Sequence, residues 1–369
     1  KAAELAKMGE VLTNSQIGGR RNIVINGAMQ VAQRGTSSTG LGDGASYPTV
    51  DRFEVSGGSS AGRLTMTQDS SAPSGFANSI KIDCTTADTS IAAGEYLLLQ
   101  QKIEGQDLQQ LKKGTSDAEK VTVSFYVKGN ASATYVLELA DEDNNRKNTQ
   151  KFNVTTNWTR VVLTYDGDTT GTLDDDNATS LILTIWLHAG STYSGGTFTS
   201  NVWSAMSSAN RAVGITSFFD STDRTFFITG LQMEIGSQAT PFEHRSFGEE
   251  LALCHRYFQS VTYENGGTIS VGIVFINGTH CIAPMDYKYG KLRTAPTITM
   301  PSAGQSGGNV SFLTSASSYP STTGTNQALN ISDSHYSIRG NDYVGLPNAG
   351  GASWFYNNGD VVYQYDSEL

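Results

Sequence analysis

The sequence predicts a mostly β protein, with an N-terminal stem helix, a jelly-roll β-sandwich, a short linking helix and a smaller C-terminal β-sandwich. Composition is the first reason: of 369 residues, 38% are hydrophobic, only 16% are charged and 39 are glycine. Such a composition suits strands joined by many turns better than the Glu-, Lys- and Leu-rich surface of a helical bundle. The spacing of short apolar runs and one strand-to-helix segment are the other two reasons.

Between residues 22 and 244, apolar and polar residues alternate in short runs that are separated by turn residues. This period of two is typical of half-buried strands. The predicted strands begin at Ile23 and Ile25 and continue at 53–55, 64–66, 80–84, 96–103, 121–127, 135–139, 158–165, 181–187 and 226–235. Only a short helical pattern, 105–113, interrupts them. We therefore predict one jelly-roll domain over 20–245.

The end of this domain is marked by a change of period. Alternation in 231–235 ends at Gly236, and Ser246 and Glu249 then have the spacing of a helix capping box. The pattern predicts a linking helix over 246–260, whose apolar stripe consists of Leu251, Cys254 and Phe258.

Apolar runs resume after the linking helix and predict a distal, smaller β-sandwich over 261–369. Its predicted strands are 268–276, 280–287, 297–300, 310–314, 328–339 and 361–365. At the other end of the chain, Leu5, Met8 and Leu12 share one helix face, which predicts a stem helix and hinge over 1–19. A seam this short is marginal alone, so the helix packs either on partner chains or on its own domain.

Charge and cysteine content limit the class of partner. The formal net charge is −10, and no extended basic stretch is present, so we predict no nucleic-acid partner. Cys84, Cys254 and Cys281 are odd in number and far apart. This spacing predicts three buried free thiols in a protein assembled in a reducing cytoplasm, not a disulfide scaffold.

No residue pattern selects a catalytic site, and we predict a protein without enzymatic activity. The G-x-S-x-G match at 58–62 places Ser60 in a Gly/Ser loop before a strand, whereas a nucleophile elbow lies between a strand and a helix. The five histidines lack the spacing of a zinc site. Any two loops can supply the paired carboxylates of a glycosidase, so the sequence leaves a depolymerase open as an alternative.

Two acidic stretches, 141–145 and 166–177, are the candidate metal site. Their carboxylates and amides are the oxygen ligands that calcium prefers when loops bring them together. EF-hand spacing is absent, so solvated turn tips are the alternative interpretation. The calcium candidates are Asp141, Asp143, Asp174 and Asp176. No other cofactor is predicted.

Aromatic residues are the candidates for receptor contact. Trp158 and Trp186 lie in apolar runs and are predicted to belong to the core. Trp354 and Tyr356 lie in the Gly/Asn-rich stretch 350–360, which we predict to be an exposed loop. They are the receptor-contact candidates, because aromatic side chains supply large and rigid contact area. A buried hairpin or a subunit interface is the alternative for them.

Several segments resemble, in order, a jelly-roll module of phage tail-fibre and adsorption proteins, as in phages of marine bacteria and cyanobacteria. The stem segment 1–14 and the C-terminal segments 292–300 and 365–369 are similar to regions that flank this module. The segments within the module are NIVINGAMQVAQRG at 22–35, DRF at 51–53, QQKIEGQDLQQLKKG at 100–114, KVTVSFYVKG at 120–129, LTIWLHAGSTYSGG at 183–196 and GLQMEIGSQATPFEHRSFGEELALCHRYFQ at 230–259.

The resemblance implies a structural virion component with a carbohydrate-binding-like fold. It implies a homotrimer in the tail fibre, assembled in the host cytoplasm, that contacts other phage tail proteins and a glycan or protein receptor on the host surface. It supplies no catalytic or ligand residues. The alternatives are a glycan-binding module of a secreted bacterial enzyme or surface protein, expected to be monomeric, and a polysaccharide depolymerase tailspike, expected to release reducing sugar.

Overall fold

A computed structural model describes residues 21–264, 268–271, 274–277, 280–301, 309–313, 318–319, 325–341, 354–358 and 360–369, with the backbone alone described within 265–279, 302–324 and 342–359. The predicted stem helix over 1–19 lies outside the described residues. The chain forms two compact units, one extending to Glu250 and including Leu369, the other spanning Leu251–Glu368. The prediction of a mostly β protein is confirmed. None of the helices in the described ranges has both the length and the apolar character to cross a membrane.

The first unit contains thirteen strands in two antiparallel sheets. The strands are β1 Ser37–Leu41, β2 Gly44–Ser46, β3 Glu54–Gly58, β4 Arg63–Asp69, β5 Ser79–Thr86, β6 Tyr96–Glu104, β7 Val121–Gly129, β8 Ala133–Asp141, β9 Arg146–Val154, β10 Thr159–Tyr165, β11 Thr179–Ala189, β12 Ser204–Ala205 and β13 Thr225–Ile235. The six-stranded sheet has the order β1-β4-β5-β13-β7-β10, and the seven-stranded sheet has the order β12-β9-β8-β11-β6-β3-β2.

These two sheets pack face to face as a jelly-roll β-sandwich. Every second residue of a strand faces inward, as the apolar alternation predicted. Phe125 from the six-stranded sheet meets Phe152 from the seven-stranded sheet edge to face, with ring centroids 5.0 Å apart. The shared core also contains Ile82, Val127, Phe226, Leu99, Leu137 and Ile185.

Three local predictions in this unit are wrong or incomplete. Residues 22–34 form bends and turns, not a strand, because asparagine side chains take up their backbone hydrogen bonds. The helical pattern at 105–113 forms two 3₁₀ turns, Gly105–Asp107 and Gln109–Leu111. Strand β9 was not predicted, since its sequence RKNTQKFNV shows little apolar alternation, yet it pairs with β8 along its whole length.

The described residues contain two α-helical segments, α1 (Ser191–Ser194) and α2 (Phe247–His255). The predicted capping box of α2 is confirmed: the Ser246 amide donates to Glu249 Oε2 over 2.9 Å, and the Glu249 amide donates to Ser246 Oγ over 3.3 Å. The predicted extension to residue 260 is wrong. Phe258 begins a strand, because its segment pairs residue by residue with the C-terminal strand and gains more from that ladder than from another helical turn.

The described part of the second unit contains eleven further strands in three sheets. They are β14 Phe258–Tyr263, β15 Thr268–Val271, β16 Val274–Asn277, β17 His280–Asp286, β18 Thr297–Thr299, β19 Asn309–Leu313, β20 Ser318–Tyr319, β21 Thr325–Leu329, β22 His335–Asn341, β23 Trp354–Asn358 and β24 Val361–Asp366. The sheet orders are β14-β24-β18, β15-β23-β19-β20 and β16-β17-β22-β21. The predicted runs 268–276 and 328–339 each contain two strands.

A tyrosine-rich core joins two of these sheets. Val261 and Tyr363 of the three-stranded sheet pack with Ala283 and Ile338 of the β16-β17-β22-β21 sheet. The hydroxyls of Tyr336 and Tyr365 lie 2.9 Å apart in this core and form a hydrogen bond, so each supplies the partner that a buried hydroxyl requires.

Candidate functional site

The register of the six-stranded sheet places a row of side chains on the surface that faces away from the core. Lys81 of β5 lies opposite Phe227 of β13, and Phe227 lies opposite Lys128 of β7. Thr159, the first residue of β10, lies opposite Val127, so Trp158 continues the row beyond Lys128. The sequence order of these residues hides this row, because their strands are distant in the chain.

A second row lies beside the first on the same face. Tyr126 of β7 and Arg160 of β10 are cross-strand partners and share the outward parity of Lys128. Arg160 is exposed, and the other five side chains are half-buried. We name the two rows together the aromatic face, which consists of Lys81, Tyr126, Lys128, Trp158, Arg160 and Phe227.

Cation–π contacts organise the first row. The Lys128 ammonium lies 4.5 Å from the Phe227 ring centroid and 5.1 Å from that of Trp158. The Lys81 ammonium lies 5.7 Å from the Phe227 ring centroid. The Trp158 and Phe227 rings meet edge to face at 6.1 Å. These contacts fix the rings and cations in place before any ligand arrives.

An aromatic cluster extends the face at Tyr126. The Phe76 ring lies 5.5 Å from Tyr126 and also contacts Phe242 and His244, at 5.0 Å and 5.2 Å. Gly230 makes room for it, since a Cβ there would come within 2.6 Å of the Phe76 ring, and its φ of +63° favours glycine. Gly230 also lies at a register shift in β13, which is typical of a β-bulge.

The prediction that Trp158 belongs to the core is wrong. It precedes β10 and is half-buried on the outer surface, because the inward parity belongs to Val161 and Leu163. The prediction that Trp186 is buried is confirmed, because the residue is 1% exposed. The Trp186 indole nitrogen donates to Glu138 Oε1 over 3.3 Å, and Arg211 covers the ring at 4.9 Å.

The receptor-contact candidates Trp354 and Tyr356 lie in β23, so the prediction of a loop there is wrong. The backbone of this strand pairs with β15 on one side and β19 on the other. Their side chains lie outside the described part of the structure. A contact role for them stays a prediction.

The two acidic stretches do come together, as the calcium hypothesis required. Asp143 Oδ2 accepts a hydrogen bond from the Asp174 amide over 2.9 Å. Asp176 Oδ1 accepts one from the Ala178 amide over 2.8 Å. Across the described ranges, no three His, Cys, Asp or Glu side chains converge as a metal-ligand group. A calcium role for Asp143, Asp174 and Asp176 stays a prediction.

Asp141 has a different partner, an internal lysine. The Lys113 ammonium lies 2.5 Å from Asp141 Oδ2 and 3.1 Å from Asp168 Oδ2, and it donates to the carbonyls of Thr170 and Gly171 over 2.9 Å each. Four oxygens therefore surround one buried cation that belongs to the chain itself. We name this cluster the Lys113 cage.

Asp168 is held ionised within the Lys113 cage. Burial alone would raise its pKa, but hydrogen bonds from Arg146 and Lys113 outweigh burial and lower the pKa below its ordinary value of 3.8. Arg146 forms a bidentate pair with Asp168, at 2.7 Å and 2.9 Å. This geometry favours the charged form of both partners.

The lowered pKa of Asp168 predicts acid sensitivity of the first unit. A carboxyl whose pKa is lower when folded contributes its stability fully above the unfolded pKa, and this contribution is lost as pH falls through the folded pKa. We expect the urea midpoint to be steady from neutral pH down to about pH 5 and to fall below about pH 4. Asp168→Asn should flatten this fall and lower stability at neutral pH, whereas Asp117→Asn, at an exposed site, should change neither. Identical acid profiles for the wild type and Asp168→Asn would contradict this role.

Ser60 and His188 belong to buried hydrogen-bond relays. Ser60 lies between β3 and β4, confirming the predicted loop, and its hydroxyl donates to Asp88 Oδ2 over 2.9 Å. His188 bridges Glu95 Oε2, at 3.0 Å, and Ser217 Oγ, at 2.8 Å. The imidazole has no exposed surface, and Ser217 Oγ also accepts a hydrogen bond from the Phe219 amide. These hydrogen bonds therefore connect the segments of Glu95 and Ser217 to the end of β11.

The three cysteines are buried and free, as predicted. Burial raises the pKa of the Cys84 thiol to about 11 and that of Cys281 to about 12. Thiols in this state are poor nucleophiles at neutral pH.

Comparison with known proteins gives no family for this chain. No protein-family profile matches it, and no curated protein does. Among solved structures, it is similar to TmCBM61 in complex with β-1,4-galactotriose, with TM-score 0.31, 10% identity, and coverage of 58% of this chain and 99% of that one. It is also similar to a Family 11 Carbohydrate-Binding Module from Clostridium thermocellum, with TM-score 0.28, 11% identity, and coverage of 56% and 98%.

A third similar structure is the enzymatically active domain of Bacteriophage CBA120 tailspike protein 4, with TM-score 0.29 and 13% identity. That match covers 58% of this chain and 21% of the tailspike chain. Likenesses at these scores establish neither family nor function.

Proposed function

We propose that this chain is a non-enzymatic adhesin of a phage tail fibre and that its aromatic face binds a glycan on the host cell surface. The observation that supports the proposal is the pair of outward rows in which rings and cations alternate. An accessible aromatic ring can cover the apolar face of a sugar, and neighbouring polar groups can bind its hydroxyls. The resemblance to phage adsorption modules adds the tail-fibre context, and it is carried by segments 22–35, 51–53, 100–114, 120–129, 183–196 and 230–259.

Weak contacts suffice for such a role. Several copies of one face on a fibre raise the effective concentration of the second and later contacts, so attachment becomes firm without a deep pocket. The predicted homotrimer would supply this multivalency. Sedimentation of the purified chain should give the mass of three copies, whereas a monomer would favour a glycan-binding module of a secreted bacterial protein.

Binding to an array of bacterial surface polysaccharides tests the aromatic face. We expect Trp158→Ala to weaken binding to the recognised polysaccharide about tenfold or more, as loss of a central aromatic contact does. Phe247→Ala is the matched control, because this ring is 56% exposed and lies outside the face. Equal affinities for the wild type and Trp158→Ala, with both folded by urea titration, would remove the aromatic face from the proposal.

Trp354→Ala distinguishes the aromatic face from the receptor-contact candidates of β23. If Trp354→Ala abolishes binding and Trp158→Ala does not, the distal unit carries the contact. Release of reducing sugar from the bound polysaccharide by the purified chain would instead favour the depolymerase alternative.

A further inference from the structure

The aromatic face concentrates positive charge on an acidic protein. The chain has 25 Lys and Arg against 35 Asp and Glu, yet three cations, Lys81, Lys128 and Arg160, share this face. Lys81 has a carboxylate partner, Asp83, at 2.9 Å. Lys128 and Arg160 contact neutral groups instead.

Lys128 and Arg160 have neutral partners. The Lys128 ammonium donates to Ser71 Oγ over 2.8 Å and otherwise contacts the two rings. The Arg160 guanidinium donates to the Thr240 carbonyl over 2.6 Å and reaches Ser124 Oγ at 3.4 Å. Among the residues that the structure describes, no carboxylate pairs with either cation. An ammonium has three donors and a guanidinium five, so both retain donors for a ligand.

The sheet register brings these two cations close together. Arg160 of β10 lies opposite Tyr126, and Tyr126 precedes Lys128 by two residues in β7. Arg160 and Lys128 are therefore diagonal neighbours. The strand positions of diagonal neighbours in an antiparallel pair are about 7–8 Å apart, so the long side chains of Lys128 and Arg160 can both reach one anionic group. The Trp158 ring lies 5.1 Å from the Lys128 ammonium, and Trp158 precedes Arg160 by two residues on the same face, so it offers a ring beside the anion position.

We infer that the glycan bound by the aromatic face is acidic, with a carboxylate or sulfate held between Lys128 and Arg160 while its sugar ring packs on Trp158. This inference rests on the proposed glycan-binding function and specifies the class of ligand. Charge complementarity carries it: cations that have no anionic partner among the described residues can pair with an anion on the ligand.

The test is an array on which each acidic polysaccharide is printed beside its neutral form. Carboxyl-reduced forms are paired with uronic-acid polymers, and desulfated forms with sulfated polymers. We expect binding to an acidic member of a pair at least about tenfold tighter than to its neutral form, and weakening as salt increases. The carboxyl-reduced and desulfated arms show which of the two anions is recognised.

Variants assign the effect to the two cations. Lys128→Gln and Arg160→Gln should each lower affinity for the acidic form about tenfold, and by more than they lower affinity for the neutral form. Lys120→Gln is the charge-matched control, because Lys120 is exposed and pairs with Asp166 at 2.8 Å. Equal binding of acidic and neutral forms would overturn the inference while the proposed function stands. Absence of binding to every polysaccharide would instead count against the proposed function.

Discussion

Lys113→Met is expected to destabilise the first unit by about 3–5 kcal/mol, the typical cost of leaving a buried charge without its partner. The Lys113 ammonium is 4% exposed, and the Asp141 carboxylate that it meets is fully buried. Methionine preserves much of the side-chain volume, so the loss of charge dominates the result. In Lys113→Met, Asp168 still has its ion pair with Arg146. Among the described residues, Asp141 then has only the hydrogen bonds that Asn144 donates to it.

The adjacent residue provides the matched control. Lys112 pairs with Glu119 at 2.7 Å, but its side chain is 54% exposed, so Lys112→Met should lower the free energy of unfolding far less than Lys113→Met does. Urea unfolding followed by tryptophan fluorescence measures both, because Trp158, Trp186 and Trp203 lie in the first unit. Similar midpoints for the two variants would contradict the Lys113 cage. Adding Asp141→Asn to Lys113→Met should recover part of the loss, since it removes the uncompensated carboxylate.

The cage also explains why the sequence predicted calcium at this place. Acidic loops that converge on one point need a cation, and sequence spacing can suggest the convergence. Lys113 comes from a segment some 30 residues before Asp141, and nothing in its neighbourhood distinguishes it from Lys112. Only the folded topology shows that one of two adjacent lysines is internal.

The aromatic face was missed for a related reason. Alternation along each strand predicted most strands of the sandwich, because alternation depends on residues next to each other in the chain. Lys81, Lys128, Arg160 and Phe227 meet only through the strand order β5-β13-β7-β10, which follows from long-range pairing. The linear chain has no extended basic stretch. The positive charge arises from register.

Residues 22–34 show how side chains can override a strand pattern. Ile23 and Ile25 have the spacing of a strand, but the Asn22 carboxamide oxygen accepts from the Val24 amide over 3.1 Å and from the Met233 amide over 3.0 Å. Asn26 then adopts a φ of 61°, which a strand does not allow. Asparagine offers the backbone local hydrogen bonds that replace the ladder.

Asn26→Ala is therefore expected to cost about 3 kcal/mol or more, although it removes a small side chain. Asn26 is fully buried. Its Oδ1 accepts from the amides of Gln30 and Val31, and its Nδ2 donates to the carbonyls of Val31 and Asp51, over 2.8–3.0 Å. Alanine removes the acceptor that the Gln30 and Val31 amides share and one donor to the Asp51 carbonyl, whereas the Val31 carbonyl keeps the Asp51 amide.

Asn145→Ala separates this hydrogen-bond cost from the cost of backbone strain. Asn145 also has a positive φ, 51°, but it is exposed at the turn between β8 and β9. A left-handed alanine costs about 1 kcal/mol relative to asparagine, so Asn145→Ala should lower the free energy of unfolding by about that amount. The difference between the two variants measures the four hydrogen bonds of Asn26. If the two losses are equal, the loop is held by its backbone conformation alone, and Asn26 does not organise it.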